Sequence, residues 1–227
     1  MSLINNMIDI VMDKRFQQKD YKETKYSISK VFKESGNGIY GCHLIGENND
    51  FTSKAIRLVS GKYVHSILVW HDEEGIMKNL NNDAIARLKY KFNSYYKNFP
   101  FLDFLKTKTL VLGSADSNGM NYFDFSNYHD RQFILNKIPL EEYQIKELVN
   151  YMLKHENMHR KYDYTGLFFW LFRLFDDEKS WYCSEQYNNV LRYIGYDMEF
   201  KKDPSPTQNA EWIIKNVPET IILDTRE

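Results

Sequence analysis

Two apolar runs constrain this chain more than any other feature: "IYGCHLI" at residues 39–45 and "YVHSILVW" at residues 63–70. Both are short and bounded by turn-forming residues, so both read as strands buried along most of their length. The turn formers of "ESGNG" close a helical segment before the first run, and the polar "GENND" follows it. Residues 51–60 supply a short helix or turn, and Gly61 breaks the chain before the second strand.

Further along, helical and strand patterns alternate. Residues 82–106 carry Ile85, Leu88, Phe92, Tyr95 and Tyr96 at helical spacing until Pro100. "TLVLGSADSNGMNYFDF" reads as a hairpin turning at "DSNG", and "RQFILNKI" as one more strand. Residues 139–161 predict a helix with Pro139 at its first position and Ile145, Leu148 and Met152 on one side. The final helix starts near Cys183, with Tyr187, Val190, Leu191 and Ile194 as its apolar stripe and Gly195 as its stop. Strands in the middle with helices before, between and after make an α+β pattern.

A chain of 227 residues, 43% hydrophobic and 16% aromatic, can bury roughly 70% of its unfolded surface in one core. With ten glycines, five prolines and no repeat, it reads as a single domain over residues 1–227, with residues 1–36 as a peripheral N-terminal helix. A formal net charge of −1 gives no footprint for nucleic acid. Two cysteines and no secretory leader point to a reduced, cytoplasmic protein. The greasiest stretch, "LFFWLFRLF" at residues 167–175, has about half of the roughly 20 residues a membrane span needs, and Arg173 interrupts it. It reads as a buried helix, or as a wall that meets an acyl chain or a membrane surface.

Cys183 lies on the same stripe as Tyr187 and Val190, where a core thiol would sit. It also opens a helix, where unpaired N–H groups and the macrodipole favour thiolate and lower the pKa from about 8.5 by a unit or more. A nucleophile needs a base, and six histidines are available: His43, His65, His71, His129, His155 and His159. His155 and His159, with Glu156 between them, have the spacing of a metal pair but lack a third ligand, so a solvated helix face is the simpler account. His65 alternates with apolar neighbours on a strand, which leaves two readings: a core histidine bonded to a backbone carbonyl, or a shielded base.

The run from Gly38 to Trp70 resembles the opening of the circularly permuted NlpC-like amidases of the papain-like group, the YiiX type, through Ser53, Ile56, Arg57, Gly61 and His65. "RKYDYTGLFF" is similar to that family's Pro-Tyr-Asp segment, with Lys161 in place of proline, and "WYCSEQYNNVLRYIGYD" to its Cys-Ser-Glu-Leu helix. The resemblance covers about residues 37–213. It implies a permuted papain-like fold: a central antiparallel sheet packed against helices, with the nucleophile at a helix N-terminus.

It further implies Cys183 as nucleophile, His65 as general base and Tyr162 as an added oxyanion donor. For Tyr162, a core tyrosine with a bonded hydroxyl is the competing account. The residue orienting the imidazole is where the chain departs from the family. Ser114 is the first candidate and Asp116 the alternative, both reached only after a helical insertion at about residues 73–106; Asn79 or His71 would fill the role if the insertion lies elsewhere. The implied activity is a cysteine-dependent hydrolase, an amidase or peptidase, or else an acyl ester hydrolase or acyltransferase, acting through an acyl-enzyme on a peptide-, amide- or lipid-type substrate. It needs no cofactor and no metal. The competing expectation is an impaired papain-like module that binds a peptide, lipid or protein partner.

Overall fold

The computed structural model describes residues 28–45, 61–95, 100–116, 119–125, 131–154, 157, 160–162, 180–181, 183–196, 198–200, 204–217 and 220–224. The expected loop elements at residues 46–60, the aromatic stretch at 167–175, and His129, His155, Glu156 and His159 lie outside the described residues, as does most of the expected N-terminal helix.

Helix α1 (Ile28–Ser35) leads into strands β1 (Gly38–Ile45) and β2 (Tyr63–His71). Three helices follow, α2 (Ile76–Asn79), α3 (Asn82–Tyr95) and α4 (Phe101–Phe104), then strands β3 (Thr109–Asp116), β4 (Gly119–Asp124) and β5 (Gln132–Lys137). After helix α5 (Glu142–Met152) come the two-residue strands β6 (Lys161–Tyr162) and β7 (Ser180–Trp181). Helices α6 (Cys183–Tyr193) and α7 (Pro206–Asn216) and strand β8 (Thr220–Asp224) complete the order. The main sheet runs β4-β3-β2-β1-β5-β8 with every neighbouring pair antiparallel, while β6 and β7 pair in parallel by themselves. The architecture is α+β, an open antiparallel sheet with helices. Among the described residues no helix is long and apolar enough to cross a membrane.

Both sheet faces are covered, which is why β1 and β2 read as nearly continuous apolar runs. On one face Ile39, Leu68, Trp70, Leu110 and Leu112 pack with Leu148 and Met152 of α5 and Tyr187, Val190 and Leu191 of α6. On the other, Tyr40, Cys42, Ile67, Val69, Val111 and Leu135 pack with Phe32 of α1. Phe32 stacks on His71 at 5.0 Å and meets Tyr40 and Phe125 edge-on.

The helix ends follow local chemistry. Gly195, at φ +78°, sits one residue past the C-cap of α6; its N–H bonds Arg192 O, and Tyr196 N–H bonds Leu191 O, the Schellman pattern. Helix α5 starts later than the sequence predicts. Pro139 and Leu140 precede it and Glu141 is its N-cap, because the Gln144 side chain accepts from the Glu141 N–H at 3.0 Å and so closes the first turn there. Helix α6 is not the last element either. Ser205-Pro206-Thr207-Gln208 is a capping box with proline at the first helical position, and it launches α7.

Gly113 shows how tightly α6 is held. At φ +73° it bulges β3, and the Gln186 side chain donates to its carbonyl at 2.7 Å and to that of Leu112 at 3.3 Å. A Cβ there would lie 2.6 Å from Met152 Cε and 2.7 Å from Gln186 Nε2. Backbone strain and overpacking therefore act together, and Gly113→Ala is expected to lose about 3 kcal/mol in urea unfolding.

Candidate functional site

Helix α6 lies on β2, so the element that begins at Cys183 and the strand that carries His65 are packed together. Cys183 is the first residue of the helix and is 2% exposed, within the apolar cluster that holds Tyr187, Val190 and Leu191. Both cysteines are free thiols. His65 is partly exposed and pairs with Leu44, whereas Ile45 pairs with Tyr63, so Val64 is an extra residue in the ladder. Such a bulge breaks strict alternation and can re-aim a side chain, and bulges concentrate next to functional sites.

The first regular rung after His65 joins His43 to Ser66 across β1 and β2. His43 Nδ1 and Ser66 Oγ are hydrogen-bonded at 2.9 Å, with both residues buried. The His43 ring meets the Tyr187 ring at 5.1 Å and the Tyr63 ring at 6.4 Å, both edge-on, so it touches the helix as well as the strand. Burial, and secondarily the charge of His65, push its pKa down to about 3. It is a neutral imidazole near neutral pH.

Around it the buried face is unusually polar. Among the described residues, His43 Nε2, Tyr187 Oη, Ser184 Oγ and both polar atoms of the Asn188 side chain have no hydrogen-bond partner. Asn209 of α7 donates to Ser184 O at 3.1 Å, and Thr207 at the start of that helix accepts from Tyr63 N at 3.0 Å. Helix α7 thus braces both α6 and the entry to β2.

The remaining sequence-derived candidates fall at known backbone positions. Ser114 and Asp116 lie on β3, opposite Asn121 and Gly119 of β4. Tyr162 lies on β6 opposite Trp181, and this parallel pairing brings its backbone alongside the residue two before the cysteine. His71 and Asn79 do not serve His65. His71 is six residues along β2, roughly 20 Å away at about 3.3 Å per residue, and it bonds Thr109 Oγ1 at 2.8 Å. Asn79 donates to the Asp72 carboxylate. Among the described residues no group of histidine, cysteine, aspartate or glutamate side chains could hold a metal ion. The residue that sequence reasoning passed over is His43, because its partnership depends on the strand register.

No family model matches the chain, and no curated protein matches it.

Two outcomes follow from this geometry. A Cβ on Gly41 would lie 2.3 Å from Tyr187 Oη, so Gly41→Ala should lose about 2–3 kcal/mol by overpacking. The buried Tyr187 hydroxyl has no partner among the described residues, so Tyr187→Phe should by itself raise stability by about 1 kcal/mol. Adding it to Gly41→Ala should recover part of the loss, measured as a double-mutant cycle in urea. The second outcome concerns acid. Unfolded His43 takes a proton near its ordinary pKa of 6.5, whereas the folded residue resists until about 3. The unfolded state therefore binds more protons throughout that window, and stability falls as pH drops from 6.5 toward 3. His71 is lowered too, chiefly by burial, and adds to the slope. Denaturant midpoints between pH 7 and 4 should decline less steeply in His43→Asn than in the native chain.

Proposed function

We propose that this chain is a cysteine-dependent hydrolase with a permuted NlpC-like, papain-type arrangement, acting on an amide or ester bond. The observation that carries the reading is the packing of α6, which opens at Cys183, onto the strand bearing His65, next to a bulge.

In this reading His65 takes the thiol proton of Cys183, and the sulfur attacks the substrate carbonyl. The backbone N–H of Cys183, at the first turn of the helix, donates to the developing oxyanion, and the Tyr162 hydroxyl is a second donor. The protonated imidazole then gives its proton to the leaving amine or alcohol, leaving an acyl-thioester on Cys183. Water attacks that ester with His65 again as base, and the acid product leaves. Ser114, with Asp116 as alternative, is the candidate to orient the imidazole. The substrate class is a peptide, another amide or a lipid ester. Two free thiols suit the reducing cytoplasm.

A second reading has its own support. Cys183 is 2% exposed among apolar side chains, which suits a papain-like module that has lost turnover and binds a peptide, lipid or protein partner.

The pH profile of iodoacetamide labelling separates the two, with Cys42→Ala as background so that one thiol is followed. The hydrolase reading expects Cys183 to react well below pH 8 and to lose that reactivity, by tenfold or more at pH 7, in His65→Ala. A thiol that stays inert in both proteins sinks it and leaves the binding module.

A further inference from the structure

We infer that His43 is a positioning residue for the Cys183–His65 pair, acting through its hydrogen bond to Ser66 on β2 and its ring contact with Tyr187 on α6. The inference rests on the hydrolase reading above.

Three observations support it. First, Ser66 follows His65 directly, and the His43–Ser66 rung adjoins the Leu44–His65 rung that borders the bulge at Val64. A bulge disrupts the ladder locally, so a bonded rung next to it steadies how β2 runs past His65. Second, Tyr187 stands one helical turn after Cys183 and on its side of the helix, so a group resting on the tyrosine ring sets how that turn sits over the sheet. His43 therefore touches both elements that must be held at a fixed separation. Third, the residue is an expensive choice for packing alone. Its Nε2 is buried with no partner among the described residues, and an apolar side chain of similar shape would avoid that penalty. Neutrality near pH 7 also keeps His43 from competing with His65 for the thiol proton.

The same strand supplies an internal control. At its far end His71 makes the same kind of buried bond, Nδ1 to Thr109 Oγ1 at 2.8 Å, but contacts Phe32 of α1 and not α6. Loss of that bond tests packing without touching the site.

The experiment follows the pH profile of iodoacetamide labelling of Cys183, in the Cys42→Ala background, alongside thermal unfolding. His43→Phe keeps a ring against Tyr187 and loses the bond; Ser66→Ala loses it from the other side; His43→Asn offers an amide where Nδ1 stood. Positioning predicts that His43→Phe and Ser66→Ala each slow labelling at pH 7 about tenfold and move the profile toward that of an ordinary thiol. Because they break one bond, the double variant should be no slower than either alone. His43→Asn should recover to within about threefold of the native rate, and Thr109→Val should leave the profile in place even if its unfolding temperature drops as far. Should His43→Phe fail to fold, Ser66→Ala decides the matter unaided. Native labelling rates in Ser66→Ala, with labelling still dependent on His65, overturn the positioning role and spare the hydrolase reading. Labelling that ignores His65 overturns both.

Discussion

The close approach of Tyr187 to Gly41 sets the height of α6 above the sheet. No side chain at position 41 could admit the tyrosine hydroxyl so near the strand. From that contact the rest of the helical face takes its spacing. The His43 ring fits edge-on beside the tyrosine, Val190 and Leu191 reach the β2–β3 leucines, and Gln186 reaches the carbonyls at the Gly113 bulge. Two glycines on different strands, Gly41 and Gly113, thus hold one helix at two points. The first does so by lacking a Cβ and the second by also adopting a left-handed backbone.

That arrangement is not the most stable one available to these elements. Among the described residues, buried side-chain atoms without a partner occur on His43 of β1 and on Tyr187, Ser184 and Asn188 of α6. Each buried orphan costs about 1–3 kcal/mol relative to an apolar replacement of the same shape. On the opposite face Phe32, Tyr40, Val69, Val111, Phe133 and Leu135 form a mostly apolar layer, in which His71 Nε2 is buried without a partner among the described residues.

Much of this was legible in the sequence, and the failures have physical causes. The apolar runs of β1 and β2, the β3–β4 hairpin and the stripe of α6 ending at Gly195 are local patterns, fixed by periodicity and by the demand for a left-handed residue at a helix stop. The start of α5 was misread because a glutamine three residues into the helix outcompeted a proline that merely fits. Helix α7 went unnoticed because "KKDPSPTQN" is dense in turn formers, yet Ser205 and Gln208 are the two halves of a capping box. The pairing of His43 with Ser66 was out of reach. It depends on a register spanning 22 intervening residues and on the bulge at Val64, which one sequence does not encode in any periodic signal.

Whether Cys183 does chemistry reduces to one electrostatic comparison. A helix N-terminus stabilises an anion by about 0.3–1 kcal/mol when exposed and up to about 2 when partly buried. Withdrawing an unpaired anion from water costs several kcal/mol. At 2% exposure the helix cannot hold a thiolate at position 183 by itself. A cationic imidazole beside the sulfur would reverse the balance, because a buried ion pair with good geometry regains much of what desolvation removes. The neutral His43 cannot supply that charge, as its proton is lost far below neutral pH. Of the histidines on this strand pair, His71 is bonded to Thr109 at the far end of β2. In the hydrolase reading that charge comes from His65, which is partly exposed and adjacent to the bulge.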